Sequence, residues 1–250
     1  MDLIVKKFGG TSLASGKLIK NAALRVKNEI TKGSKVIVVV SAMAGITNNL
    51  LSLTDKATKS KDPLALAEID SIISTGEQVS AGLMSLYLQE LGFKARSLAG
   101  WQASLKTNSR FGNAEISSID TKFLHSLLKE GTIPIISGFQ GVDENHRITT
   151  LGRGGSDLTA VYVAASMKAT RCDIYTDVDG VYTDDPKREQ KAEKFHKISY
   201  DDMYNMAKKG SKVMQKESVA VAKQYKVLVK VLSTFSPNQK ATFITEREDI

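Results

Sequence analysis

Short runs of β-branched and apolar residues recur along the chain, each ending in a polar or glycine-bearing turn and followed by apolar positions at helical spacing. That alternation is the signature of a parallel sheet flanked by helices, so the class predicted is α/β. Strands are predicted at Leu3–Phe8, Lys35–Val40, Phe93–Leu98, Ile133–Ser137, Arg171–Thr176, Val227–Leu232 and Thr242–Thr245. Helices are predicted at Leu18–Ile30, Ile119–Glu130, Asp201–Lys208 and Val213–Tyr225, with a long helical stretch from Pro63 to Leu91 broken near Thr75-Gly76. A further helix over Leu158–Met167 is expected to be capped by Ser156 or Asp157. Gly9-Gly10, Ser41, Gly138 and Thr176-Asp177 all fall where a strand gives way to a loop. In open α/β sheets ligands bind beyond the carboxyl ends of the strands, so one site gathering these loops is predicted.

Composition narrows the class without naming it. The chain has 250 residues, 42% hydrophobic and 25% charged, which suits a globular protein with a real core. The single cysteine, Cys172, cannot form an intrachain disulfide and sits inside a strand pattern, where it reads as a small buried hydrophobe. The N-terminal apolar run is too short for a signal peptide and Val36–Val40 is far too short for a membrane span, so no membrane association and a cytoplasmic location are expected. The formal charge is +8, but the lysines are scattered and Trp101 is the sole tryptophan. A nucleic-acid footprint concentrates its charge and interleaves aromatics, so no nucleic-acid partner is expected. His125, His146 and His196 lack metal-ligand spacing, and no protein-held metal site is expected.

Two familiar nucleotide motifs fail. Gly10 to Leu18 has five residues between its glycines instead of four, and Leu18 stands where a P-loop needs Ser or Thr. Gly152-Arg153-Gly154-Gly155 lacks the third glycine of a dinucleotide fingerprint, because Asp157 occupies that place. What remains is nevertheless suited to anions. Lys7-Phe8-Gly9-Gly10 sets a lysine at a strand end beside two residues without side chains, and Arg153-Gly154-Gly155-Ser156-Asp157 leads into a second helix. Backbone N–H groups and the positive end of a helix can approach a phosphate at both places.

Six blocks carry a resemblance to the aspartate kinases, members of the amino-acid kinase family. They are Val5–Ser12, Ser41–Thr47, Ser74–Glu77, Gly138–Gly141, Thr149–Asp157 and Tyr175–Pro186, in the family's order and spacing from Lys7 to about Phe235. The resemblance implies a three-layer α/β/α sandwich with a mostly parallel central sheet, and a single catalytic domain over residues 1–250. Its N-terminal half would bind aspartate and its C-terminal half ATP. The reaction implied moves the ATP γ-phosphoryl group to the side-chain carboxylate of L-aspartate, giving 4-phospho-L-aspartate on the way to lysine, threonine and methionine. A carboxylate with a pKa of about 3.9 is already ionised near neutrality and needs no general base. It needs positioning and charge neutralisation.

Carried over by position, Lys7, Asp157 and Lys212 are the implied catalytic residues, with Asp157 holding the lysines through charge-assisted hydrogen bonds rather than acting as a base. The implied ATP site comprises Lys7, Phe8, Gly9, Gly10, Ser41, Thr176, Asp177, Tyr182, Lys187, Lys212 and Val213. The implied aspartate site comprises Thr47, Glu77, Arg153, Gly154, Gly155 and Ser156, Arg153 offering a fork for a carboxylate and Glu77 a partner for the ammonium group. Mg²⁺ would accompany ATP, bound mainly through phosphates. The resemblance also implies a homodimer.

The chain departs from the family at two places. Gln215-Lys216 stands where many relatives carry His-Pro, and the paired regulatory ACT domains of most aspartate kinases are absent from this chain. An unregulated enzyme, a partner of a separate regulatory chain and a shortened chain all fit that absence. Other readings are a kinase of the same fold acting on glutamate, acetylglutamate or a nucleotide, or a non-catalytic regulator that binds ATP or an amino acid. Glu77 with Arg153 favours free aspartate over the first; Lys7, Asp157 and Lys212 together favour catalysis over the second.

Overall fold

In chain order the strands are β1 (Leu3–Phe8), β2 (Lys35–Val40), β3 (Ala95–Leu98), β4 (Leu105–Thr107), β5 (Ile116–Ile119), β6 (Ile133–Ser137), β7 (Gln140–Val142), β8 (Ile148–Thr150), β9 (Arg171–Thr176), β10 (Lys197–Ser199), β11 (Val229–Ser233) and β12 (Thr242–Thr245). The helices are α1 (Gly16–Ile30), α2 (Ile46–Ala57), α3 (Pro63–Ile73), α4 (Thr75–Glu90), α5 (Lys122–Lys129), α6 (Gly155–Ser166), α7 (Tyr200–Lys208) and α8 (Lys216–Gln224), with a 3₁₀ turn at Thr11–Leu13. The computed structural model describes residues 2–184, 189, 191–211, 213–236 and 240–247.

The main sheet runs β10-β12-β11-β9-β1-β2-β6-β3. β1 is parallel to both β2 and β9, β6 is parallel to β2 and β3, and β11 is parallel to β9. Only at β11–β12 does an antiparallel pair enter this sheet among the described residues. The central strands are mostly apolar on both faces, as suits strands covered by helices on each side, with Lys6, Lys7 and Asp173 as the paired exceptions in β1 and β9. Val5, Ile37, Val39, Cys172 and Ile174 pack towards α5, α6, α7 and α8. Phe8, Val36, Val38, Val40 and Tyr175 pack towards α1 and α4. Cys172 is fully buried and burial pushes its thiol well up, in keeping with a packing role.

The pattern along the chain found the main strands and most helices, but several boundaries move. Ile119 ends β5 rather than opening a helix, and α8 begins at Lys216 rather than Val213. α6 starts at Gly155 with Gly154 as its cap in the left-handed region, so Ser156 and Asp157 lie inside its first turn rather than capping it. A second sheet, β5-β4-β7-β8, was not predicted; it folds the Asp143–His146 turn into a hairpin beside the site. α2 was also missed, because its face carries little burial: Thr54 is its one fully buried residue.

Candidate active site

The parallel register brings the ends of β1, β2, β6 and β9 to one edge, and backbone hydrogen bonds knit the loops that leave them. Gly9 N donates to Tyr175 O, Ser41 N to Phe8 O, Gly138 N to Val40 O and Thr234 N to Thr176 O. Above this edge opens a cleft of about 690 Å³, walled by β1, the turn after β2, α2, α3, the start of α4 and the start of α6. Its size is ordinary for a small-molecule site.

Lys7 is the last-but-one residue of β1 and is 7% exposed. Strand alternation turns it towards α6, where its Nζ lies 2.5 Å from Asp157 Oδ1 in that helix's first turn. Asp157 therefore holds the lysine while sitting at the helix end that favours negative charge. Gly10 lines the same cleft, and a Cβ there would sit 2.9 Å from Ala42 O, so this turn admits no side chain without moving backbone. Phe8 is completely buried and stacks on Tyr175 with ring centroids 4.7 Å apart, so its side chain belongs to the core and cannot meet a nucleotide. Gly9's N–H is already committed to Tyr175, which removes it as a phosphate donor.

Also in the cleft wall, Glu77 lies in the first turn of α4 and is 3% exposed. Its Oε1 accepts from Ala42 N at 3.0 Å, while its Oε2 is buried with no hydrogen-bond partner among the described residues. Burial pushes this carboxyl up to about 7, the Ala42 bond opposing that shift. A buried carboxylate in a cleft wall with a free oxygen is suited to receive a cationic group. Arg153 is exposed and is followed by the left-handed Gly154 (φ +75°), and Thr47, Gly155 and Ser156 line the same cleft.

The structure thus brings Lys7, Gly10, Ser41, Thr47, Glu77, Arg153, Gly154, Gly155, Ser156 and Asp157 into one cleft. Thr176 and Asp177 lie on the same sheet edge but outside its lining, with Thr176 Oγ1 donating to Asp177 at 3.1 Å. Tyr182 lies further along that loop, its hydroxyl donating to Asp179, and Val213 is half-buried against the core. Lys187 and Lys212 lie outside the described residues. Phe139 and Asp70 also line the cleft and were missed. Phe139 carries a signal in its neighbours, following the Gly138 that ends β6; Asp70 reads in sequence as one polar position on an apolar helix.

Opposite Lys7, the adjacent Lys6 enters a largely buried charge cluster. Its Nζ lies 2.9 Å from both Glu29 and Asp173, and Arg171 bridges the same two carboxylates at 3.0 and 2.7 Å. Burial alone would lower the Lys6 ammonium, but Asp173, Tyr175 and Glu29 outweigh it and hold it above the usual lysine range.

A parallel α/β/α sandwich with a lysine turn and a glycine-led helix facing one cleft defines a fold built to gather anions at a sheet edge. The chain belongs to the amino acid kinase family, whose profile matches residues 2–233. It is 46% identical over 250 residues to the aspartokinase of Rickettsia prowazekii (strain Madrid E), spanning 100% of this chain and 56% of that protein. It is 47% identical to aspartokinase 2 of Bacillus subtilis (strain 168), spanning 100% and 60% respectively. Among solved structures, E. coli aspartokinase III in complex with aspartate and ADP (R-state) matches with a TM-score of 0.89 at 29% identity, over 98% of this chain and 65% of that one. The chain therefore spans little more than half the length of these curated relatives. UMP kinase from Bacillus anthracis, at 19% identity and a TM-score of 0.71, is alike in fold alone.

Proposed function

We propose that this chain transfers the γ-phosphoryl group of ATP to the side-chain carboxylate of L-aspartate, releasing ADP and an acyl phosphate. The observation that carries the reading is the pairing, in one cleft, of Lys7 held by Asp157 with a buried Glu77 whose Oε2 lacks a partner. The printed names of the relatives, and the aspartate and ADP of the E. coli complex, support it.

In this reading Glu77 takes the substrate ammonium and Arg153 its α-carboxylate, leaving the side-chain carboxylate directed along the cleft towards Lys7. A carboxylate oxygen attacks the γ-phosphorus, the bond to the β–γ bridging oxygen breaks, and ADP leaves with the electron pair. No proton has to move, so the protein's contribution is alignment and charge neutralisation. Lys7 supplies a cation beside the transferring group, and the α6 N-terminus adds its partial positive charge. Thr176, Asp177, Tyr182 and Val213 would meet the nucleotide beyond the end of β9, and Lys187 and Lys212 are assigned to the same nucleotide by their place in the sequence. Mg²⁺ would neutralise phosphate charge while held by phosphate oxygens and water. The donor set fits that arrangement: Asp157 is already paired with Lys7, and among the described residues no three His, Cys, Asp or Glu side chains converge.

We take residues 1–250 as one catalytic domain with aspartate bound by its N-terminal half and ATP by its C-terminal half, acting as a homodimer. The test is hydroxylamine trapping of acyl phosphate with Mg-ATP and a panel of aspartate, glutamate, N-acetylglutamate and no acid. Hydroxamate with aspartate alone is expected. Product with a different acid would move the substrate, and none with any acid would overturn the reading.

A further inference from the structure

Asp70, near the end of α3, is 1% exposed and yet forms part of the cleft wall. Its carboxylate is saturated by three donors from two other segments. Oδ2 accepts from Gly112 N at 2.9 Å and Thr150 N at 2.8 Å; Oδ1 accepts from Thr150 Oγ1 at 2.7 Å and, more distantly, from Gly112 N at 3.1 Å. Burial raises this carboxyl, and the bonds from Thr150 and Gly112 work against that rise.

The segments so joined matter for what they carry. Thr150 ends β8 and stands three residues before Arg153, and its carbonyl accepts from Ala114 N at 2.8 Å, closing the Gly112 loop onto the same point. On its own side, Asp70 precedes Glu77 by seven residues across the α3–α4 junction, where Ser74 N donates to Asp70 O at 3.1 Å. One buried carboxylate on α3 therefore ties the helix that leads into α4, where Glu77 sits, to the strand that leads into the Arg153 loop. A neutral amide is a poorer replacement: with its oxygen in the place of Oδ2 its NH₂ faces the Gly112 N–H and turns the Thr150 hydroxyl from donor to acceptor, and reversed it faces both backbone N–H groups.

We propose that Asp70 is a positioning residue that sets the span between Glu77 and Arg153, and through it the preference for a four-carbon over a five-carbon amino dicarboxylate. The inference rests on the aspartate-binding reading of those two residues. With the anchor intact, the ammonium and α-carboxylate of the substrate are held at one separation and one tilt, and only the shorter side chain ends at the position of the transferring phosphoryl group. Loosening the anchor lets Arg153 drift, weakening aspartate binding and relaxing discrimination by length. A 1 Å misplacement in such a clamp is enough for large kinetic effects.

Steady-state kinetics of Asp70→Asn on the purified chain, with aspartate, glutamate and ATP varied in turn, test this. Expected are a tenfold or greater rise in KM for aspartate, kcat and KM for ATP within threefold of the native values, and a fall of at least fivefold in the aspartate-to-glutamate kcat/KM ratio. Unchanged aspartate KM and ratio would overturn the proposal. So would a loss of kcat with both KM values altered together, which is the signature of general loosening. Thr150→Val, which removes one donor and leaves the backbone bonds, serves if Asp70→Asn fails to fold; a two- to fivefold change in the same aspartate parameters is expected, and none would count against the proposal. Arg153→Ala separates the two levels. If it leaves aspartate KM unchanged, the site reading itself has failed; if it raises KM while Asp70→Asn does not, only the positioning role has.

Discussion

Lys6 and Lys7 are neighbours in β1 and carry their ammonium groups to opposite faces of the sheet. Lys7 meets Asp157 on α6 in the cleft wall; Lys6 meets Glu29 on α1 and Asp173 on β9 beneath the helices. The period-two alternation of a strand makes one a candidate for chemistry and the other a strut.

For the pair in the cleft, Lys7→Ala should lower kcat by about 10²–10³, the scale for removing one preorganised charge-stabilising donor. Aspartate affinity should stay near native, since Glu77 and Arg153 are untouched. Asp157→Asn should fall in the same direction by less, and the double variant should fall short of the product of the two because they act as a unit. Stopped-flow phosphoryl transfer beside equilibrium aspartate binding checks this; native kcat in Lys7→Ala removes its role.

Glu77 makes a pH prediction with a definite sign. Its folded-state pKa, about 7, lies above the ordinary value of 4.5, so the folded protein keeps a proton that the unfolded chain loses. The resulting stability, about 3 kcal/mol, is fully present below the ordinary value and is lost as pH rises towards 7. Glu77→Gln, which carries no charge to bury, should unfold several degrees above the native protein at pH 8 and close to it at pH 5. Aspartate KM of the native protein should rise as pH falls below about 7, because a protonated Glu77 cannot pair with an ammonium group. A flat Tm difference across that range would contradict the assignment.

Gly154 permits a left-handed backbone, and a Cβ there would also press on the Gln215 side chain. Gly154→Ala should cost about 1–2 kcal/mol for the backbone conformation and raise aspartate KM by moving Arg153. Adding Gln215→Ala removes the contact but not the strained φ, so partial recovery of stability is expected by denaturant titration. Full recovery would show that side-chain contact, and not backbone conformation, selects glycine here.

Lys6→Met should destabilise the fold by about 3–5 kcal/mol, because it leaves two buried carboxylates to Arg171 alone. Its consequences should be confined to stability: KM for both substrates in the folded fraction should match the native protein. Urea titration and kinetics on one preparation decide this, and an altered aspartate KM would mean that the cluster reaches the cleft.

Much of this was legible along the chain. The β-branched runs marked β2 and β6, and the mainly apolar runs β1 and β9, because strands covered on both faces carry few polar residues beyond paired ones such as Lys6 and Asp173, and the loops after them marked the site. Lys7, Glu77, Arg153 and Asp157 stood out through the blocks around them. Phe8 has neighbours that invite a phosphate, while its own side chain points to the α1 face and fills the core. Thr176 and Asp177 share the sheet edge without lining the cleft, since β9 lies beyond β1 on the side away from β2 and the turn that leads into α2.

The order of apolar and polar residues by itself determined the layering and which strand ends carry chemistry, because burial periodicity and turn chemistry are local. Tertiary structure alone decided which lysine faces the cleft, that Glu77 keeps an unpartnered oxygen, and that Asp70 joins segments 42 and 80 residues away. Those depend on contacts between distant segments, where the identity of a donor is set by geometry and not by sequence neighbourhood.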